Sequence, residues 1–245
     1  RGLGDVYKRQ MFNYAVKYYD LHENPCTKAG SMGKSHAEEM NFWTKAEFEQ
    51  FIVAVQDKPA SYTAFMTLYY TEMRVGELCA LTPADVNLVG HTITINKTFQ
   101  RINGRDVIWP PKTPKSNRVV TIPQTLANCL KEYMDKCYEI QPDDRLFPYT
   151  KSFLNHEMLR GCKKSGVKKI RVHDLRHSHA ILLIEMGCQP LLIADRLGHE
   201  KIQTTLNTYS HLYPNKQAEV AAQLENVMNG TTVPNGSQMA GVANL

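Results

Sequence analysis

Apolar residues recur along most of this chain at the three- and four-residue spacing of an α-helix, with one stretch of strict alternation near the middle. The first periodic segment, Met11 to Leu21, carries Met11, Tyr14, Ala15, Val16 and Tyr18 as the mostly apolar stripe of a single amphipathic helix, and Asn24-Pro25 ends it. One short helix cannot bury its own stripe, so a packing partner is expected upstream, and the chain reads as the C-terminal part of a longer protein. Residues 1–10 have no initiator Met and no readable periodicity; they are taken as non-native read-through and set aside. Residues 27–41 are polar and rich in Gly and Ser, the composition of a linker.

A second domain opens at Thr44, where Thr44 and Glu47 form a capping-box pattern ahead of Phe48, Phe51, Ile52 and Val55 at helical spacing. Helices are expected over 61–72 and 75–81, the latter closed by Pro83. Alternation in 91–96, 105–109 and 118–122 predicts a three-stranded antiparallel meander with turns at Asn103-Gly104 and 112–117. From Gln124 the period returns to helical, over 124–138, 151–164, 173–186, 189–197, 201–210 and 214–228. The tail, 229–245, has the composition of a disordered terminus. The expected architecture is mainly α with a small three-stranded antiparallel sheet. Its parts are a truncated domain ending at 26, a linker, a main domain over 42–213 and a C-terminal helix over 214–228.

Composition narrows the function classes. The 245 residues are 42% apolar and 22% charged, ordinary for a globular chain. The longest aliphatic run is Ala180 to Ile184, closed by Glu185, far short of the roughly 20 residues a bilayer span needs. No secretory signal opens the chain, and the six cysteines form no CxxC pair, so reduced thiols in a cytoplasmic setting are expected. The formal net charge of +5 hides a strong asymmetry. Residues 91–120 set Lys97, Arg101, Arg105, Lys112, Lys115 and Arg118 against Asp106 alone. Residues 151–176 set eight bases against Glu157 and Asp174, so the rest of the chain is net negative. Two concentrated basic windows point to a polyanion, most simply nucleic acid.

Three segments carry the candidate chemistry. Thr71-Glu-Met-Arg74-Val-Gly-Glu77 places an arginine where two helices meet; taken alone, Arg74 and Glu77 are an intrahelical ion pair. In Val172-His173-Asp-Leu-Arg176-His177-Ser-His179, His173 and Arg176 share a helix face, whereas His177 and His179 suit packing roles. His173 and His177 have the i, i+4 spacing of a zinc-binding HExxH helix. The Asp after His173 and the fixed charge of Arg176 speak against a metal there, and no metal site is expected. In Arg196-Leu-Gly198-His199 a helix ends on a left-handed glycine, and the next helix carries Tyr209 in Thr205-Leu-Asn-Thr-Tyr209-Ser-His211.

In this order, over residues 41–215, the segments HDLRH, LGH and TTLNTYSH resemble the catalytic domain of tyrosine recombinases, most closely the integrases of Gram-positive phages and conjugative transposons. Residues 11–26 resemble the last helix of that family's core-binding domain. The resemblance implies a site-specific recombinase that cleaves and rejoins DNA through a covalent 3′-phosphotyrosyl intermediate. It assigns Arg74 and Arg176 to the phosphate, Tyr209 to the attack, His173 to its proton, His199 to a phosphate oxygen and a hairpin lysine to the leaving 5′ oxygen. Lys112 is preferred for that last role over Lys115. The two basic windows would then hold the DNA backbone, through Lys97, Arg101, Arg105, Lys115 and Arg118 in one and Lys163, Lys164, Lys168, Lys169 and Arg171 in the other. The resemblance further implies a homotetramer on double-stranded attachment sites, with the 214–228 helix docking on a neighbouring protomer and accessory DNA-bending or excision factors as partners. Arginine forks suit a pentacoordinate phosphate without metal, and a phosphotyrosyl bond conserves energy, so neither metal nor ATP is expected. The chain has no Walker loop and no carboxylate cluster of two-metal type. The alternatives are a cellular Xer-like chromosome-dimer resolvase, a metal-dependent hydrolase built on the histidines, and a DNA-binding regulator without catalysis.

Overall fold

The structure, a computed structural model, describes residues 3–29, 40–111 and 116–213, and beyond these the single positions Ala221, Glu225 and Met228. Lys112 and Lys115, most of the linker and the tail lie outside the described residues. So does the helix expected over 214–228, except at those three positions, which are helical. The chain divides into two compact units, residues 1–40 and 41–245.

In the first unit, α1 (Leu3–Tyr18) is followed by the single turn α2 (Pro25–Lys28). α1 starts at Leu3 rather than at the expected Met11, because nothing in Asp5-Val-Tyr-Lys-Arg-Gln10 breaks a helix and the turn simply propagates. Asn24 ends the turn between them: its side chain accepts from the Cys26 amide and donates to the Arg9 carbonyl and to Asn13. Met11, Tyr14, Val16 and Tyr18 remain exposed, as the uncovered stripe predicts.

The second unit is built around α4 (Pro59–Thr71), which starts on a proline and is buried at most of its positions. Such a helix must be covered on several sides. α3 (Lys45–Ala54) packs beside it, opened by the expected capping box: Thr44 accepts from the Glu47 amide and Glu47 accepts from the Thr44 amide at 2.8 Å. α6 (Gln124–Asp135) and α8 (Asp174–Glu185) also lie against α4. α7 (Lys151–Ser165) crosses α3 at Gly161, where a Cβ would collide with the Phe51 ring and Val55. Trp43, Phe48, Phe51, Phe65, Leu68 and Tyr69 form the centre of the core. α5 (Val75–Leu78), α9 (Pro190–Leu197) and α10 (Ile202–Tyr209) carry the segments that surround the site. No helix among the described residues is long and apolar enough to cross a membrane.

The β region differs from the expected meander. A three-stranded antiparallel sheet is present, but it is made of β1 (Val86–Asn87), β2 (Thr92–Ile95) and β5 (Arg118–Thr121) in the order β1-β2-β5. The segment 105–109, expected as its middle strand, is β4 (Arg105–Trp109) of a separate two-stranded ribbon with β3 (Thr98–Ile102). The cause is the turn itself. Asn103 and Gly104 both take positive φ, 50° and 78°, and this two-residue turn forces Ile102 opposite Arg105. Ile95 pairs with Arg118, so the sheet closes across the ribbon's insertion.

Candidate active site

Arg74 sits just before α5, where α4 has ended and the chain turns. Its amide donates to Glu77 Oε2 at 2.8 Å and its guanidinium to Oε1 at 2.9 Å, leaving the side chain 41% exposed. Glu77 is buried, and its other face is held by Arg118 at 3.0 Å. Burial alone would push the Glu77 carboxyl up, but Arg118 and Arg74 outweigh it and hold it below the usual range. Position 76, two residues after Arg74, is glycine because the ribbon passes over it: a Cβ there would meet the Thr98 hydroxyl and the Phe99 carbonyl.

Arg176 projects from α8 into the interior and is 5% exposed. One terminal nitrogen donates to the Glu72 carbonyl at 2.6 Å and the other to the Leu197 carbonyl, tying α8 both to the turn before Arg74 and to the end of α9. Burial, then repulsion from Arg74 and Arg118, lowers its pKa to about 10. Gly198 ends α9 with φ 63°, as expected of a left-handed cap, and delivers His199, whose Nδ1 meets Thr205 Oγ1 at 2.8 Å. Arg74, Glu77, Lys97, Lys151, Gly198 and His199 line one cleft, into which Pro111 and Ser116 also face. His173 is exposed at the start of α8, and burial of its surroundings together with the nearby Arg176 lowers its pKa.

Tyr209 is 1% exposed at the end of α10, and its hydroxyl shares a 2.6 Å hydrogen bond with Nδ1 of His177. The family resemblance points to His173 as the partner of Tyr209, and the spacing gives His177 a packing role. The structure instead seats the phenol one helical turn further along α8, with the His173 and His177 rings edge to face at 5.6 Å. The i, i+4 spacing read for metal is the signal that could have found this contact. Burial raises the Tyr209 pKa well above its ordinary value. Among the described residues, no three His, Cys, Asp or Glu side chains converge as a metal cage would require.

The basic residues divide. Arg118, expected to face DNA, is instead 7% exposed and turned inward, donating to the Arg196 carbonyl as well as to Glu77. An arginine offered two buried acceptors is drawn inside. Lys97 is held by Asp85 at 2.6 Å at the cleft edge. Arg101, Arg105, Lys163, Lys164, Lys168, Lys169 and Arg171 are exposed; Arg101, Lys164 and Lys168 sit in surface ion pairs that a polyanion can displace, whereas Arg171 is held on the buried Asp174 carboxylate. Lys151, at the first position of α7, belongs to the cleft, although its sequence surroundings mark it only as one base of the 151–176 window.

This crowding of bases has a pH consequence. Burial first, then nearby cations or His173, lowers both His177 and His199 from 6.5 to about 4. In the unfolded chain both take up protons near pH 6.5, so between that pH and 4 the unfolded state binds more protons. Stability is therefore complete above pH 6.5 and falls as pH drops toward 4, by about 2 kcal/mol per histidine once the roughly 3 kcal/mol of the full shift is discounted for the solvent that screens these half-buried rings. Urea titrations from pH 7 to 4.5 should show the loss, and the His177→Gln, His199→Gln double variant should flatten it. A profile equally steep in that variant would exclude these two groups as the cause.

A mostly helical core with a small antiparallel sheet thus brings Arg74 and His199 to one cleft, with Arg176 tied to the turn and helix end that carry them and Tyr209 packed on the neighbouring stretch of α8. Residues 41–216 match the phage integrase family, and the chain belongs to it. It is 32% identical to the ICEBs1 integrase of Bacillus subtilis (strain 168), the match covering 89% of this chain and 63% of that protein, under two thirds of its length. It is 29% identical to the integrase of Staphylococcus phage L54a over 93% of this chain and 74% of that one. Among solved structures, the Tn1549 transposon integrase in complex with circular intermediate DNA superposes with a TM-score of 0.70 at 21% identity, covering 90% of this chain and 78% of that one. XerA recombinase superposes with a TM-score of 0.58 at 22% identity, over 92% of this chain and 74% of that one. The shared fold is the tyrosine recombinase catalytic domain.

Proposed function

We propose that the protein is a mobile-element integrase, cleaving and rejoining double-stranded DNA at attachment sites through a 3′-phosphotyrosyl intermediate. The observation that carries this reading is the gathering of Arg74 and His199 around one cleft, with Arg176 anchored beneath it and Tyr209 packed on the same helix as Arg176. Permanently charged guanidinium forks suit the charge that develops on a pentacoordinate phosphate.

In this reading the Tyr209 oxygen attacks phosphorus and the bond to the 5′ oxygen breaks. The phenol gives up its proton to a histidine, His173 in the family pattern, while the 5′ oxygen takes one from Lys112, with Lys115 as the alternative donor. One P–O ester forms as one is lost, so a 5′ hydroxyl from another strand can reverse the step without ATP. Tyr209 is buried on His177 in the state described, so α10 must turn its hydroxyl toward the cleft before attack. Lys97, Arg101, Arg105, Lys163, Lys164, Lys168, Lys169 and Arg171 would hold the flanking backbone. The working assembly in this reading is a tetramer on two sites, with the 214–228 helix reaching a neighbouring protomer and accessory DNA-bending factors assisting.

The test uses the whole protein and a nicked DNA duplex from the element's own ends, in EDTA and without ATP. The expected result is a protein–DNA adduct that survives SDS, with a free 5′ hydroxyl on the released strand. Cleavage that appears only when a divalent metal is restored would overturn the reading and favour a metal-dependent hydrolase.

A further inference from the structure

Glu72 has no part in the steps above, yet it occupies a costly position. It follows the last residue of α4 with φ 58° and is fully buried. A non-glycine residue in that region costs about 1 kcal/mol. The other non-glycine residues with positive φ among those described, Asp20, His91, Asn103 and Glu139, are all at least partly exposed. Burying a carboxylate adds a second cost unless it is well paired.

The pairing explains the residue. Oε1 of Glu72 accepts from Nε of Arg196 on α9 at 3.1 Å and lies 2.9 Å from Nε2 of His179 on α8, a close contact without hydrogen-bond geometry, while Oε2 is buried with no hydrogen-bond partner among the described residues. The same Arg196 donates its terminal nitrogens to the Tyr70 and Thr121 carbonyls. The carbonyls of Arg196 and Leu197 accept from Arg118 and Arg176, and the next two residues are Gly198 and His199. Glu72 also gives its own carbonyl to Arg176, and two residues later comes Arg74. A glycine at 72 would take this φ freely and offer the same carbonyl. What a glycine would lose is the side-chain acceptor, which adds Arg196 Nε on α9 to the links that Arg176 and the Tyr70 carbonyl already make.

We propose that Glu72 is a positioning residue for strand cleavage: its carboxylate, between His179 and Arg196, clamps α8 and α9 to the turn carrying Arg74, so that Arg74, Arg176 and His199 meet the phosphate in one register. The proposal rests on the recombinase reading. Misplacement of reacting groups by about 1 Å can cost roughly 100-fold in rate, whereas DNA affinity is set mainly by the basic surface.

The whole protein is assayed as wild type, Glu72→Gly, Glu72→Gln and Arg196→Lys. Adduct formation is followed at saturating DNA, well below each variant's melting temperature, and Kd for the same DNA is measured separately. Glu72→Gly should slow adduct formation roughly 100-fold with Kd within about twofold. Glu72→Gln, which keeps an acceptor for Arg196, should recover to within about tenfold of wild type. Arg196→Lys should be slowed at least as much as Glu72→Gly, since it also loses the fork's bonds to the Tyr70 and Thr121 carbonyls, and adding Glu72→Gly to it should slow cleavage little further because their shared contact is already gone. Should Glu72→Gly fail to fold, Arg196→Lys and Glu72→Gln carry the test. Folded variants that melt lower but cleave at the wild-type rate would overturn the proposal and leave Glu72 a purely structural residue. A wild-type protein that forms no adduct overturns the recombinase reading itself, and the positioning role with it.

Discussion

Tyr209→Phe should yield no SDS-resistant adduct at all, while melting within a few degrees of wild type. The catalytic loss is total for covalent capture because the phenolic oxygen is the atom that would bond to phosphorus, and no rearrangement of neighbours supplies another. The small effect on folding follows from how the side chain is held. The ring is almost fully buried and would stay so, and the hydroxyl makes one hydrogen bond, to His177. Deleting it leaves Nδ1 of a half-buried imidazole without that partner, at a cost of about 1 kcal/mol. Binding of attachment-site DNA should survive. An adduct of undiminished yield from the Phe variant would mean that another residue is the nucleophile.

The two arginines should separate when activity and stability are measured together. Arg74→Gln and Arg176→Gln are each expected to slow cleavage by about 1000-fold, the upper range for removing one charge-stabilising donor. Their folding should differ. Arg74 is 41% exposed and its partner Glu77 keeps Arg118, so Arg74→Gln should change unfolding free energy by less than about 1 kcal/mol. Removing a like charge from beside Arg176, whose pKa is already depressed to about 10, also relieves repulsion. Arg176→Gln withdraws donors from the buried Glu72 and Leu197 carbonyls and should cost about 2 to 3 kcal/mol. Urea denaturation beside the adduct assay reads both quantities. Equal destabilisation by the two variants would show that Arg176 does not hold the turn and α9 together.

What could be read from the sequence was local. The Thr44–Glu47 cap, the left-handed Gly198 and the Asn103-Gly104 turn each depend on residues within one helical turn or one hairpin, so their types and spacing suffice. The order of Arg74, His173, Arg176, His199 and Tyr209 was legible through family resemblance, and the structure brings Arg74 and His199 to one cleft with Arg176 tied beneath. The illegible parts are through-space choices between competing partners. The strand at 105–109 had two candidate neighbours, and alternation does not say which side it joins. Arg118 could face solvent or Glu77, a choice made 41 residues away in sequence. Tyr209 could lie near His173 or His177, both on one face of α8, and packing against α10 decided it. Glu72 looked like an ordinary helix-end residue because its partners stand 107 and 124 positions along the chain.

The insertion of the ribbon also bears on how such a chain can diverge. β2 hands over to β5 across a single rung, Ile95 opposite Arg118, so everything between those two residues leaves the sheet and returns to the same place. Lengthening, shortening or exchanging the tip of that excursion around Asn103-Gly104 changes neither the strand register nor the core beneath it, and the added loop-closure entropy grows only slowly with length. The base of the ribbon is not free in this way: Thr98 and Phe99 rest on Gly76, Phe99 is part of the core, Lys97 is held by Asp85, and Pro111 and Ser116 face the cleft. Beyond those contacts, the tip at Asn103-Gly104 is a graftable site: a segment swapped there could retarget which flanking DNA is touched while inheriting an unaltered cutting apparatus.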